Sequence, residues 1–328
     1  MSELGHCLVT GAGGFIGSHL IEELCRRGAH VTALVRYTSR GHRGWLSELD
    51  DEYQEQVEVV LGDVRDPDQM RICTQGCDTV FHLAALIGIP YSYASPRQNF
   101  ETNLLGTLNV LEAARAARVR RVVHTSTSEV YGTAQYVPID ERHPMVGQSP
   151  YSASKIAADQ LVLSYVRSFE LPAVTVRPFN TFGPRQSMRA VIPTIASQAL
   201  WSDRIRLGAL QTTRDFTFVR DTAAGLIQAA LASGVEGETF NLGHGQEISI
   251  EDLASLIRNL VGRDLPVTPE EERLRPPASE VERLVCDATK ARQRLGWEPE
   301  TSLRDGLQAT VDWIATPGPE RLTEGYAI

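Results

Sequence analysis

Short unbroken apolar runs alternate with helical patterns through the first half of the chain. Cys7–Thr10, Val31–Val35, Val57–Leu61, Thr79–Leu83, Val119–Ser126 and Ala173–Arg177 read as strands. Between them, Phe15–Arg27 places Ile16, Leu20, Ile21 and Leu24 on one side, and Asn103–Ala117 and Ser154–Phe169 repeat apolar residues at helix spacing. Continuous apolar strands, rather than alternating ones, suit a sheet buried on both faces. The alternation of strand and helix predicts an α/β fold built on a parallel sheet. After Pro184 the pattern becomes irregular, with helices predicted near Ile192–Trp201, Thr222–Ala232, Ile250–Leu260 and Leu303–Ala315, and a surface loop over Pro266–Pro277. No repeat or flexible linker separates the two halves. Residues 1–177 are expected to form the sheet domain, and residues 178–328 a smaller portion packed directly on it, with the chain crossing between the two.

The 328 residues carry 32 Lys+Arg against 41 Asp+Glu, a net charge of −9. An acidic balance argues against a nucleic-acid or membrane-surface role, which needs a basic face. No apolar stretch reaches the ~20 residues of a membrane helix, and Met1–Thr10 lacks the basic-then-apolar order of a leader, so a cytoplasmic enzyme is expected. Cys7, Cys25, Cys73, Cys77 and Cys286 are odd in number and scattered, and Cys73 and Cys77 stand four apart rather than at a redox or zinc spacing. Buried thiols in a reducing compartment are expected, and no metal.

Chemistry first shows in the turn Thr10-Gly11-Ala12-Gly13-Gly14-Phe15-Ile16-Gly17, between the first strand and the first helix. Glycines 11, 14 and 17 serve three needs: a tight turn, close approach of backbone to a pyrophosphate, and close packing of helix on strand. The helix N-terminus then offers free N–H groups to the phosphates. This placement predicts a Rossmann-type doubly wound sheet that binds a nicotinamide dinucleotide. NAD binders usually place an acid at the end of the second strand, but this chain has Arg36, with Arg40 nearby. Either arginine could pair with a 2′-phosphate, which favours NADP and leaves NAD open; a solvated surface arginine is the competing reading. Asp63-Val64 ends the third strand and is a candidate contact for the adenine ring.

Tyr151-Ser152-Ala153-Ser154-Lys155 opens a helix and sets Tyr and Lys on one face. An ammonium beside a phenol favours the phenolate, which makes Tyr151 a candidate base. A hydroxyl partner arrives in Thr125-Ser126-Thr127-Ser128-Glu129-Val130-Tyr131-Gly132, at the end of a strand. With TGAGGFIG, HLAA (His82–Ala85), TSTSEVYG, YSASK and RPFNTFGPR (Arg177–Arg185) in order, the chain resembles the extended short-chain dehydrogenase/reductases that act on nucleotide sugars. The resemblance implies a smaller mixed α/β C-terminal substrate domain, Thr127 polarising the sugar O4, Tyr151 as base and Lys155 on the cofactor ribose. It implies further cofactor contacts at Phe15, Ile16, Leu83, Ala84 and Ala85, and at Asn103, Thr125 and Pro178. A homodimer through Asn103–Ala117 and Ser154–Phe169 is implied as well.

Within that family Thr127-Ser128-Glu129 resembles the triplet of the 4,6-dehydratases, GDP-mannose dehydratases among them. Many such enzymes carry Asp in the middle as acid for the leaving hydroxyl, and Ser128 departs from this, leaving Glu129 to act as both base and acid. A 4-epimerase, a UDP-glucuronate decarboxylase with a similar triplet, and a catalytically silent NADP-binding regulator stay open as alternatives. Arg36–Arg40 with Gly44-Trp45-Leu46, Ile89–Tyr93, Gly132–Ile139 and Arg189–Pro193, which includes Val191, resemble NDP-N-acetylhexosamine 4,6-dehydratases of the legionaminic acid type. In the second half Asn180, Arg214 (in Arg214-Asp215-Phe216) and Arg275 (in Arg275-Pro276-Pro277) resemble the family's substrate contacts, Arg214 and Arg275 at the diphosphate. A planar guanidinium can give a diphosphate two parallel hydrogen bonds; a surface salt bridge is the alternative for each arginine.

Overall fold

In the computed structural model, which describes residues 3–270 and 280–316, the strands run in chain order as follows. They are β1 (His6–Thr10), β2 (His30–Arg36), β3 (Val57–Gly62), β4 (Thr79–His82), β5 (Arg121–Thr125), β6 (Ala173–Pro178), β7 (Thr181–Phe182), β8 (Ile205–Leu207), β9 (Thr213–Asp215), β10 (Thr217–Phe218), β11 (Thr239–Leu242), β12 (Glu247–Ser249) and β13 (Val267–Pro269). The main sheet is wholly parallel, in the order β3-β2-β1-β4-β5-β6-β11. Its first six members are the six strands that the apolar runs predict. β11 is not foreseen: Thr239-Phe240-Asn241-Leu242 is too short to show a period, and the chain returns to the sheet there from its irregular second half.

The helices are α1 (Phe15–Arg26), α2 (Asp51–Gln54), α3 (Pro67–Thr74), α4 (Ile89–Ala94), α5 (Pro96–Phe100), α6 (Gly106–Ala117), α7 (Pro150–Phe169), α8 (Val191–Trp201), α9 (Val219–Leu231), α10 (Ile250–Val261), α11 (Thr289–Leu295) and α12 (Leu303–Ala315). Strand neighbours Leu8 and Val9 show why the runs are unbroken. Val9 packs with Leu20, Ile21 and Leu24 of α1 and Leu226 of α9 on one face. Leu8 packs with Met70 of α3, Leu111 of α6 and Val162 of α7 on the other. Each such side chain contributes about 1.5–3 kcal/mol when buried.

A second apolar centre joins α8, α10 and α12 through Ile195, Leu253, Ile257, Leu307 and Ile314. Part of the predicted Pro266–Pro277 loop is instead strand, since Val267–Pro269 pairs with β8; residues 271–279 lie outside the described residues. The helix expected from Asn103 starts at Gly106, after a π-helical turn over Glu101–Leu105. No described helix is long and apolar enough to cross a membrane. All five cysteines are free and buried as expected, and burial pushes Cys7 and Cys77 up to about 12 and Cys25 to about 11.

Candidate active site

The sheet order reverses between β1 and β4, where a doubly wound sheet opens a crevice at its carboxyl edge. The loops after these strands line a cavity of about 790 Å³, a size that suits a cofactor and substrate. Gly11 leaves β1 at φ +71°, and a Cβ there would stand 2.8 Å from the Ala84 amide nitrogen. A Cβ on Gly17 would meet the Gly11 carbonyl oxygen at 2.3 Å, so glycine lets α1 begin directly over the turn. Gly14 caps α1, its amide donating to the Gly11 carbonyl at 3.0 Å. Gly11, Gly14, Phe15, Ile16 and Gly17 all line the cavity. The unpaired amides of the first turn, with the positive end of the helix, suit a pyrophosphate. The residues present thus fit a bound dinucleotide.

Gly13 has a separate task. A Cβ there would stand 2.6 Å from the Arg43 carbonyl oxygen, and the Trp45 amide donates to the Gly13 carbonyl at 3.0 Å. Trp45 lines the cavity and meets Trp313 of α12 edge-on at 5.4 Å. Sequence reasoning missed both roles, because neither residue has a spacing signal.

Arg36, at the end of β2, lines the cavity, whereas Arg40 does not. Asp63 and Val64 line it too. The Asp63 carboxylate accepts from Arg65 at 2.6 and 3.0 Å, and this bonding holds it below the usual carboxylate range. Arg65 is a further lining residue that the sequence did not flag. Leu83, Ala84 and Ala85 form the opposite wall, with the Ala84 amide on the Thr10 hydroxyl at 3.2 Å.

Asn103 differs from expectation. It is fully buried behind the wall, where its Oδ1 takes the Leu86 amide at 2.7 Å and its Nδ2 donates to the Leu86 carbonyl at 3.1 Å and to the Ser154 hydroxyl at 2.9 Å. It fixes the wall loop to α7 rather than lining the cavity.

Thr125, Thr127, Ser128, Glu129, Tyr151 and Lys155 meet in the cavity. Thr127 caps a short 3₁₀ turn, Ser128–Tyr131, by accepting the Glu129 amide at 3.2 Å. Tyr151 stands one residue inside α7, whose start is a reciprocal cap: Ser149 Oγ accepts the Ser152 amide at 3.1 Å and Ser152 Oγ accepts the Ser149 amide at 3.0 Å. Pro150 at the first helical position presets the backbone. Lys155 follows one turn later, and its Nζ donates to the Thr125 carbonyl at 2.9 Å.

The electrostatics correct one expectation. Burial pushes the Tyr151 phenol up rather than leaving it depressed; the Thr127 hydroxyl bonds to it and draws it down, while the Glu129 charge adds to the rise. Burial also lowers Lys155, to about 8.

In the second half, Pro178 and Asn180 line the cavity, with Asn180 Nδ2 on the Asp215 carbonyl at 3.2 Å. Val191 does not line it; it opens α8 and packs into the second apolar centre, while its neighbours Ser187 and Ala190 face the cavity. Arg214 is also away from the wall, buried and paired with Glu280 at 3.1 Å. Arg275 lies outside the described residues. Gln98, Thr102, Arg185 and Gln186 also line the cavity; of these only Arg185 falls in a motif that the sequence singles out. Among the described residues no group of His, Cys, Asp and Glu could hold a metal ion.

Known proteins share this arrangement from end to end. UDP-glucose 4-epimerase of Mycolicibacterium smegmatis is 35% identical over 94% of this chain and 97% of its own. dTDP-glucose 4,6-dehydratase of Streptomyces antibioticus is 34% identical over 93% of this chain and 91% of its own. The crystal structure of DesIV, a dTDP-glucose 4,6-dehydratase from Streptomyces venezuelae with NAD bound, superimposes with a TM-score of 0.85 at 30% identity, covering 94% of this chain and 96% of that one. The family model described as GDP-mannose 4,6 dehydratase matches residues 8–310, and the chain belongs to that family.

Proposed function

We propose that the protein is a nucleotide-sugar 4,6-dehydratase that converts an NDP-hexose or NDP-N-acetylhexosamine to its 4-keto-6-deoxy form. One observation carries the reading: the Glu129 carboxylate shares the cavity with Thr127 and Tyr151, close enough to bear on the phenol. A partly buried carboxylate beside a candidate base is costly to keep unless it has work to do. A nicotinamide dinucleotide held on the Gly11–Gly17 turn would supply the hydride acceptor for the sugar C4 and the hydride donor for C6. Tyr151 takes the O4 proton, with the Thr127 hydroxyl and the positive charge of Lys155 opposing the effect of burial. The C4 ketone acidifies C5–H; Glu129 removes that proton and passes it to the hydroxyl leaving C6 as water, since Ser128 offers no acid. The proton taken from O4 balances the one returned to C5 when C6 is reduced, leaving a product one water lighter than the substrate.

The preferred cofactor is NADP. Arg36 and Arg65 both line the adenosine end, and Asp63 is already engaged by Arg65 rather than open to a ribose hydroxyl. The protein works as a homodimer through α6 and α7, where Leu105, just before α6, and Phe169, at the end of α7, leave about half their surface exposed. Incubation with UDP-, GDP-, CDP- and dTDP-sugars, read by mass, tests the reaction. Loss of one water from one of them supports it. A product of unchanged mass, or one lighter by carbon dioxide from a uronic acid, refutes it.

A further inference from the structure

Lysine is scarce here: of the 32 Lys+Arg, only Lys155 and Lys290 are lysines. A guanidinium keeps its charge when buried, whereas an ammonium loses its proton readily. Lys155 is buried, and the Thr125 carbonyl it bonds is a neutral partner. Something else must favour the charged form, and Asp159 stands one turn further along the same face of α7.

Asp159 is itself buried and is held from two strands. Arg177 of β6 donates to its carboxylate from Nε at 3.0 Å, and a terminal guanidinium nitrogen lies 2.9 Å from the same oxygen as an ion pair. His124 Nε2 of β5 lies 3.2 Å away. Arg177 is fixed in turn: it donates to the Tyr131 hydroxyl at 2.9 Å and lies 5.0 Å over that ring. Burial alone would push the Asp159 carboxyl up, but the His124 bond and the Arg177 charge outweigh it and hold the group ionised.

Of the titratable groups about Lys155, none but Asp159 bears on its charge. His82 of β4 stands beside His124 at 5.7 Å, and burial keeps both rings neutral. Tyr151 is protonated, and the charges of Glu129 and, less strongly, Asp159 add to its rise. Asp159 is the group that opposes loss of the Lys155 proton.

We propose that Asp159, clamped by Arg177 and His124, is the fixed counter-charge that keeps Lys155 an ammonium at neutral pH, and so a positioning residue for proton transfer at Tyr151. Its link to catalysis rests on the reading of Tyr151 and Lys155 given above, but the charge on Lys155 can be measured without substrate. Two lysines give two side-chain signals in protein labelled with ε-¹³C lysine, and Lys290→Arg assigns them. Lys155 is expected to titrate near pH 8, where burial and Asp159 together leave it. In Asp159→Asn its midpoint should fall by about one to three units, the effect of a lost neighbouring charge. The alkaline limb of hydride transfer, which needs the ammonium, should move to lower pH with it. Asp159→Glu keeps the charge and should restore both. Asn at 159 leaves Arg177 buried beside a neutral group and endangers the fold, so the double variant Asp159→Asn with Arg177→Gln is titrated as well, and its Lys155 midpoint should fall too. An unmoved midpoint in either variant overturns the proposal, and so does a wild-type Lys155 already neutral at physiological pH. A shifted midpoint in a protein that turns over no nucleotide sugar supports the counter-charge and overturns only the reaction assigned above.

Discussion

The proposed reaction gives Glu129 and Tyr151 different steps, so single substitutions should take those steps apart. Glu129→Gln keeps the shape and removes the base. Oxidation at C4 should survive, while elimination slows by at least the ~10²-fold typical of a lost general base. Reduced-nicotinamide absorbance should then rise without 6-deoxy product, and dehydration near the wild-type rate would show Glu129 to be structural. Tyr151→Phe should abolish hydride transfer yet leave cofactor retention intact, as measured by the dinucleotide released on heating. Arg36→Asp removes a cation from the adenosine end and supplies a hydroxyl acceptor, so the ratio of kcat/KM for NADP to NAD should fall; a wild type that already prefers NAD refutes the argument. Thr127, Tyr151 and Lys155 were legible because local spacing sets them: a helix puts Tyr and Lys on one face whatever surrounds it. Asn103, Val191 and Arg214 were not, because their partners Leu86, the α8–α10–α12 centre and Glu280 are far off in sequence or set by packing.

Two short stretches of chain decide how well the site is held. The reciprocal serine cap starts α7 one residue before Tyr151, so Ser149→Ala should cost about 1 kcal/mol in urea unfolding and lower kcat with little change in cofactor affinity. Gly17→Ala should do the reverse: its Cβ would collide with the Gly11 carbonyl at 2.3 Å and displace the phosphate turn, so dinucleotide binding should be lost first. The strands and helices of the first half could be read because buried parallel strands are apolar on both faces and their helices are amphipathic. α3 carries a start signal in Asp66-Pro67, where the Asp66 side chain accepts the amides of Asp68 and Gln69, but its eight residues are too few to show a helical period. β11 and the short strands of the second half were not legible, since two to four residues carry no period and only their neighbours make them strands.

Acid should loosen the whole molecule through its buried histidines. Burial holds His19 down at about 4, and His82 and His124 lower than their ordinary value, so the fold refuses protons that the unfolded chain takes up near pH 6.5. Stability should therefore fall as pH drops from 7 to 5, by about 2 kcal/mol for His19 alone, with His82 and His124 adding in the same direction. Urea midpoints at the two pH values check this, and equal midpoints would refute it. The sheet's last strand has a consequence of another kind, for synthesis. β6 becomes an inner strand only when β11 pairs with it, in register from Thr175 to Pro178. At a translation rate of ~5–20 residues per second, the stretch from Pro178 to Leu242 takes about 3–13 s to emerge from the ribosome. Throughout that interval the nascent chain presents a bare, apolar strand edge. A transcript that ends early in this stretch should yield an aggregating fragment rather than a free-standing cofactor domain.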